Sequence, residues 1–311
     1  MNNKSALEAF KEMTNDPNIE FIGIDDTFDF ECQQCGSCCI HRGDIIINPF
    51  DVFRAAKHLG ISCTEFLKKY AVPSYGGDSR IPLVLLSSDE KTGFCPMLKL
   101  DVKNGCKFKC IVHDAKPVVC WNHPIGTVLA TPTDDLSLDG DLATEEYEYI
   151  KVTQCENSKG HNHLHTVRDW IKPSIEHAEE LRYAHMLQAR IVQHFSPKLF
   201  DFVMDMLIEC PIDDLPEGAS EAKKHFFDLK NLIFTSYIGI AYANYDTSVP
   251  FVEQAKENIG VLDNLLKDTA KYLKTVCMTM PEDVKQGIME TLNDKHCFDW
   301  MERTIGGDKD D

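Results

Sequence analysis

Four cysteines stand within eight residues, in the order Cys32-x2-Cys35-Gly36-x-Cys38-Cys39. Thiols packed this closely gain little as core hydrophobes, so the run points to metal ligation. A C-x2-C turn lets two thiolates face one metal while backbone N–H groups point at the sulfurs. Gly36 permits the left-handed backbone that such a turn often needs. Adjacent Cys38 and Cys39 are expected to point apart, so that one of them serves a second metal atom or a second site.

Size and compartment bear on whether such thiols ligate or bridge. The chain has 311 residues, 43% of them hydrophobic, and so buries a core without covalent staples. No apolar signal segment follows Met1-Asn2-Asn3-Lys4-Ser5. The longest apolar candidate, Leu232 to Ala243, is too short for a membrane span and contains Thr235 and Ser236. A cytoplasmic chain without a membrane partner is therefore expected, and reduced thiols there bind metal or do redox work more often than they bridge. A net charge of −18 repels phosphate backbones, and no basic stripe reverses it, so nucleic acid is not an expected partner.

Ten of the 13 cysteines lie between Cys32 and Cys155, and only Cys210, Cys277 and Cys297 lie beyond. The expected division is a loop-rich, cysteine-rich metal- or iron–sulfur-binding domain over 1–165 and an all-α helical region over 166–311. The fold class is then α+β, mostly helical. In the first part Asp44 to Ile47 reads as a β-like run. Pro49 opens a helix carried by Phe50, Val52, Phe53, Ala56 and Leu59 and stopped at Gly60. Ser62 and Glu65 form a capping box ahead of Phe66. Ile81 to Leu86 reads as a strand, and Lys91-Thr92-Gly93 as a turn. Short strands and loops of this kind are expected to bury no continuous core of their own. In the second part Val167, Trp170, Ile171, Ser174, Ile175, Ala178 and Leu181 mark one helical face, with Pro173 starting or kinking the helix. Further helices are expected at Pro197 to Glu209, Ser220 to Ala243, Pro250 to Met280 and Pro281 to Thr304.

More cysteines follow in turn-like contexts: Cys95-Pro96-Met97-Leu98, Cys106, Cys110, then Lys116-Pro117-Val118-Val119-Cys120, and Cys155. The succession C-x2-C-G-x-C-C, C-P-apolar-L, C-x9-C enclosing Lys116-Pro117, x3-P and a distal Cys resembles the YkgJ-type cysteine-cluster family, described as a zinc- or iron-chelating domain. The matching positions are Cys32, Cys35, Cys38, Cys39, Cys95, Cys110, Cys120, Pro124 and Cys155, over roughly residues 28 to 160. The chain departs from that pattern at Lys116 and Trp121, where Arg is usual, at the extra Cys106, and after Cys155. More distantly, the motif is similar to that of flagellin lysine N-methylases. What the resemblance implies is a metal or cluster held by those eight cysteines, and a protein or peptide substrate.

Eight thiolates exceed one site, since a zinc ion held by cysteines alone takes four, and so does a [4Fe–4S] cluster. Soft thiolates select zinc and iron–sulfur clusters over magnesium or calcium. Zinc domains usually show two separated C-x2-C pairs. Only one pair stands clean here, which favours an iron–sulfur cluster over zinc. All eight cysteines are expected in one small volume, with Cys210, Cys277 and Cys297 elsewhere.

His41, His113 and His123 are candidate ligands or donors to thiolates, with a plain polar loop role as the alternative. His161, His163 and His165 alternate in a loop and read as exposed. Asp44, Asp51 and Glu65 read as caps or surface charges. No G-x-G-x-x-G turn or P-loop is present, and no catalytic residue is assigned. Three functions compete. One is a metallo-enzyme modifying a protein or peptide, such as by lysine methyl transfer. The second is a non-catalytic zinc- or iron-binding or delivery protein. The third is a structural interaction module.

Overall fold

The computed structural model describes residues 19–40, 42–75, 82–89, 91–102, 105, 107–129, 147–152, 162–194 and 232–279, with 282, 283, 286 and 290. Among these residues, short strands mix with helices. The strands are β1 Ile19–Ile22, β2 Thr27–Asp29, β3 Ala71–Tyr75, β4 Pro82–Leu86, β5 Leu98–Asp101, β6 Lys107–Cys110, β7 Ile125–Leu129, β8 Tyr147–Val152 and β9 Leu164–Thr166. The chain is of the mixed α+β class. Cα packing divides it into two compact units.

The first unit comprises Met1–Ile61, Glu65–Val72 and Leu85–Arg182. Its largest sheet has the order β1-β8-β7, antiparallel throughout, with Phe21 opposite Ile150 and Thr127 opposite Tyr149. β2 pairs with β9, and β5 with β6. Ile22, Phe28, Phe30, Ile125, Tyr149, Val167 and Ile171 close one core, with Trp170 packed against it. The Trp170 ring meets Phe28 and Phe30 edge-on at 5.6 and 5.3 Å. Each such pair adds about 1 kcal/mol beyond the area buried.

The expected helix after Asn48 is α1, Pro49–Leu59. Asn48 Oδ1 accepts the Asp51 N–H at 2.9 Å, and Asp51 Oδ2 accepts the Asn48 N–H at 3.1 Å. This reciprocal box is worth about 1 kcal/mol. Gly60 ends the helix at φ 67°, a conformation that costs glycine nothing. Phe50, Val52, Phe53, Ala55 and Ala56 are buried, as are Ile45, Ile47, Met97, Val112 and Ala115. The cysteine-rich part therefore buries apolar side chains of its own, contrary to expectation, because α1 turns one whole face inward. Asp44 to Ile47 forms an isolated bridge at Ile46–Leu85 rather than a strand.

α2 spans Cys63–Tyr70 and α3 Val118–Asn122. The single helix expected from Val167 is three: α4 Val167–Trp170, α5 Lys172–Glu176 and α6 Ala178–His194. Pro173 sits at the start of α5, where its missing N–H costs nothing, and its ring prevents a continuous helix through Ile171.

The second unit comprises Ser62–Thr64, Pro73–Val84 and Tyr183–Asp311. Residues 232–238 are helical and pass into a π-turn at Gly239–Ala243. α7 runs Phe251–Thr279 after Pro250. Leu187, Tyr237, Ala241, Tyr242, Ala255, Leu262 and Leu266 are buried. Gln188 donates to the Tyr242 hydroxyl at 3.0 Å, and Arg190 pairs with Asp263 at 3.2 Å. The helix expected at 197–209 and the first part of 220–243 lie outside the described residues, and of 281–304 only 282, 283, 286 and 290 are described, each of them helical. No helix among the described residues is long and apolar enough to cross a membrane.

One buried group sets a pH dependence. Asp51 is 2% exposed, and burial raises its carboxyl from 3.8 to about 6, against the backbone N–H groups of Asn48 and Val118. The folded state then binds more protons than the unfolded one between these values. The group's contribution is full below about pH 4 and is lost as pH rises through about 6. The swing is on the order of 2–3 kcal/mol. Urea denaturation of metal-free protein at steps from about pH 4 to about pH 7 is expected to show this loss, and Asp51→Asn to flatten it.

Candidate metal centre

The first cysteine loop is held by backbone geometry. Gln34 and Gly36 both adopt positive φ, 55° and 79°, and the Cys39 N–H closes a tight turn on the Gly36 carbonyl at 2.8 Å. A Cβ on Gly36 would lie 2.9 Å from the Phe108 ring. The Phe108 N–H donates to the Gln34 carbonyl at 2.9 Å. The loop is thereby fixed to β6, which ends in Cys110.

Three further segments join it. The Cys95 N–H donates to the Cys39 carbonyl at 3.0 Å, next to a bridge between Ile40 and Phe94. The Leu98 N–H donates to the Cys95 carbonyl at 2.9 Å, and Leu98 pairs with Cys110 across the β5–β6 hairpin. Cys120 stands on α3. The Val118 N–H of that helix donates to Asp51 Oδ1 at 2.9 Å, and Arg54 donates to the Lys116 carbonyl at 2.7 Å.

The sulfurs feel one another. Cys38 Sγ and Cys39 Sγ are 3.7 Å apart, so the adjacent pair does not point apart as expected. The tight turn on Gly36 brings both to one side. Two thiolates on one tetrahedral zinc would lie about 3.8 Å apart, given Zn–S bonds near 2.3 Å. The hydrogen bond from Cys39 lowers the Cys38 thiol to about 6, with help from Lys116 and Arg42. The same bond pushes Cys39 up, reinforced by burial and by the charges of Cys38, Cys120 and Cys95. Burial drives Cys120 to about 12, with added repulsion from Asp51, Cys95, Cys110 and Cys38. Cys95 and Cys110 are raised chiefly by burial. Cys38, Cys39, Cys95, Cys110 and Cys120 thus form one electrostatic group. Ionising one of them makes ionising its neighbours more costly, and nearby cations lessen that cost.

The other expected residues fall differently. Cys32 is exposed, and Cys35 is half-buried with its sulfur 3.2 Å from the Ser37 hydroxyl. Cys155, Cys106, His41, His161, Cys210 and Cys297 lie outside the described residues, as does the side chain of Cys277. Among the described residues, no three His, Cys, Asp or Glu side chains stand close enough together to hold a metal ion. The donor set fits a soft metal, and its described members do not by themselves close a shell.

His123 is held neutral by burial and by the charges of Arg42 and Lys116. Its Nε2 is buried without a hydrogen-bond partner among the described residues, an arrangement that suits a ligand or a donor to sulfur. His113 is likewise lowered, first by burial and then by Lys116. His163 is exposed, as expected. His165 is not. Its Nε2 meets the Phe30 carbonyl at 3.0 Å, and its ring packs on Trp170.

Four residues near the thiols escaped sequence reasoning in these roles. Arg42 and Lys116 are the cations that Cys38 faces. Asp51 and Arg54 sit among apolar residues of α1, and that break in the inward stripe was the available signal. Cys63, a buried thiol raised to about 12, behaves as a core residue. Comparison with protein-family models, curated proteins and solved structures finds no match.

In reduced, metal-free protein, Cys38 is expected to be alkylated first among Cys38, Cys39 and Cys120. Its rate should reach half its maximum near pH 6, the point set by its lowered thiol. Cys39→Ala removes the donor and should move that midpoint upward. Site-resolved mass spectrometry reads both, and equal rates at Cys38 and Cys120 across this range contradict the assignment.

Proposed function

We propose that this chain is a metal-binding protein whose cysteine-rich part carries an iron–sulfur cluster, with zinc as the competing occupant. The observation that supports the reading is the adjacent pair Cys38 Sγ and Cys39 Sγ, 3.7 Å apart, on a loop whose backbone is bonded to the Cys95 segment and to the strand that ends in Cys110. Cys38, Cys39, Cys95, Cys110 and Cys120 raise or lower one another's thiols in a largely buried setting. Such a set is costly to ionise alone and favourable around a soft cation. These residues would hold the group, with Cys32, Cys35 and Cys155 as further ligands implied by the family resemblance. His123, with its Nε2 unpartnered among the described residues, is a further ligand or a donor to sulfur. A bound cluster would supply electron transfer or an open iron for substrate, whereas zinc bound by four thiolates would be closed and structural. The protein's own residues would tune it. Arg42 and Lys116 offset the thiolate charge, and the Phe108 ring lies against the loop at Gly36. Modification of a protein or peptide rests on the family resemblance alone.

Anaerobic purification followed by metal and acid-labile sulfide analysis tests the proposal. Iron and sulfide with a visible absorption band are expected. Colourless protein with zinc replaces the cofactor and keeps the metal-binding reading, and protein that takes up neither metal refutes it. Cys39→Ser, Cys95→Ser, Cys110→Ser and Cys120→Ser should each lower metal affinity at least about tenfold, as loss of ligands or of their immediate support does. Cys63→Ser should leave the metal content unchanged.

A further inference from the structure

α3 is five residues long, too short to hold its own shape. Its preceding residue, Pro117, offers no side-chain cap. Yet this turn must place Cys120. The support comes from α1, which is capped and largely buried. Asp51 Oδ1 accepts the Val118 N–H, the first orphan donor of α3, at 2.9 Å. Three residues on, and so on the same helix face, Arg54 donates to the Lys116 carbonyl at 2.7 Å. The two bonds grip the backbone on either side of Pro117. The Arg54 guanidinium also lies over the Trp121 ring at 4.2 Å, and the Trp121 N–H closes the turn on the Pro117 carbonyl at 2.9 Å. Cys120 is therefore bracketed by fixed points at Lys116, Val118 and Trp121.

A purely structural account explains this poorly. Burying a carboxylate and a guanidinium is costly, and apolar residues of like volume pack as well or better. What the charged pair adds is direction, because each group bonds one specific backbone atom. We propose that Asp51 and Arg54 are positioning residues that clamp the Lys116–Val118 backbone and so deliver the Cys120 thiol to the metal site. The proposal rests on the metal-binding reading for its purpose, and its geometry can be tested apart from it.

The experiment uses the full chain with Asp51→Ala, Arg54→Ala and Asp51→Asn. Asn48→Ala serves as control, since it breaks the same capping box while leaving both bonds to α3. Site-resolved alkylation of reduced, metal-free protein is measured first. Asp51→Ala and Arg54→Ala should each speed modification of Cys120 about tenfold relative to Cys95 and Cys110, the scale of one lost buried hydrogen bond. Asn48→Ala should change the three together or not at all. Asp51→Asn retains an acceptor for Val118 and should restore most of the protection. If Asp51→Ala does not fold by circular dichroism, Arg54→Ala carries the test.

Metal affinity is then measured by chelator competition with zinc and with reconstituted iron and sulfide. Weaker binding in the alanine variants, with the Asn48→Ala variant near wild type, supports the clamp. Wild-type protein that loads neither metal overturns the metal-binding reading and with it the purpose of the clamp. Wild-type protein that loads metal, with alanine variants unchanged in affinity and in Cys120 protection, overturns the clamp alone. A Cys120 response identical in Asp51→Ala and Asn48→Ala overturns it as well.

Discussion

The hydrogen bond from the Cys95 amide to the Cys39 carbonyl joins two segments whose thiols repel each other once ionised. The rest of the site depends on such bonds. Sulfur atoms give little hydrogen-bond energy of their own, and like charges in a buried setting push apart. Main-chain bonds made by neighbouring residues therefore do the holding. Phe108 to Gln34 and Leu98 to Cys95 follow the same plan, and the Val118 N–H is held by the Asp51 carboxylate. The thiols are passengers on a frame whose energy comes from elsewhere. That energy includes the aromatic core around Phe28, Phe30 and Trp170 and the inward face of α1.

Local chemistry made much of this frame legible. Pro49 announces the start of a helix and Gly60 its end, and both stand as read. Gly36 takes the positive φ that the cysteine spacing asked for. The mixed α and β character followed from the same patterns. Failures arose where tertiary context outweighed local signals. A helical stripe continues from Val167 to Leu181, but Pro173 and the packing of Trp170 divide it into three pieces. Asp51 read as a cap or a surface charge; it completes the capping box but is buried, and its other oxygen serves a segment that the sequence places far away.

For the site, the cysteine spacing marked the loop that carries Cys38 and Cys39, and the backbone bonds it to the Cys95 segment. The spacing could not reveal that Cys38 and Cys39 turn to the same side, since that depends on the turn geometry behind Gly36. Nor could it rank the thiols. Cys38 is the acidic one because two cations and a donor face it, and Cys120 resists ionising because it is buried with a carboxylate of α1 nearby. Side-chain type alone carries no trace of either circumstance.

Gly36 bears two independent restrictions. Its φ of 79° disfavours any side chain, and its missing Cβ leaves the space that the Phe108 ring approaches. A smaller residue at 108 would relieve the crowding and leave the backbone penalty. A tolerant residue at 36, such as Asn, would ease the backbone and leave the crowding. No single compensating change elsewhere can release this position. Sequence drift around the loop is therefore channelled to its neighbours, and Gly36 is expected to persist even where Phe108 is replaced.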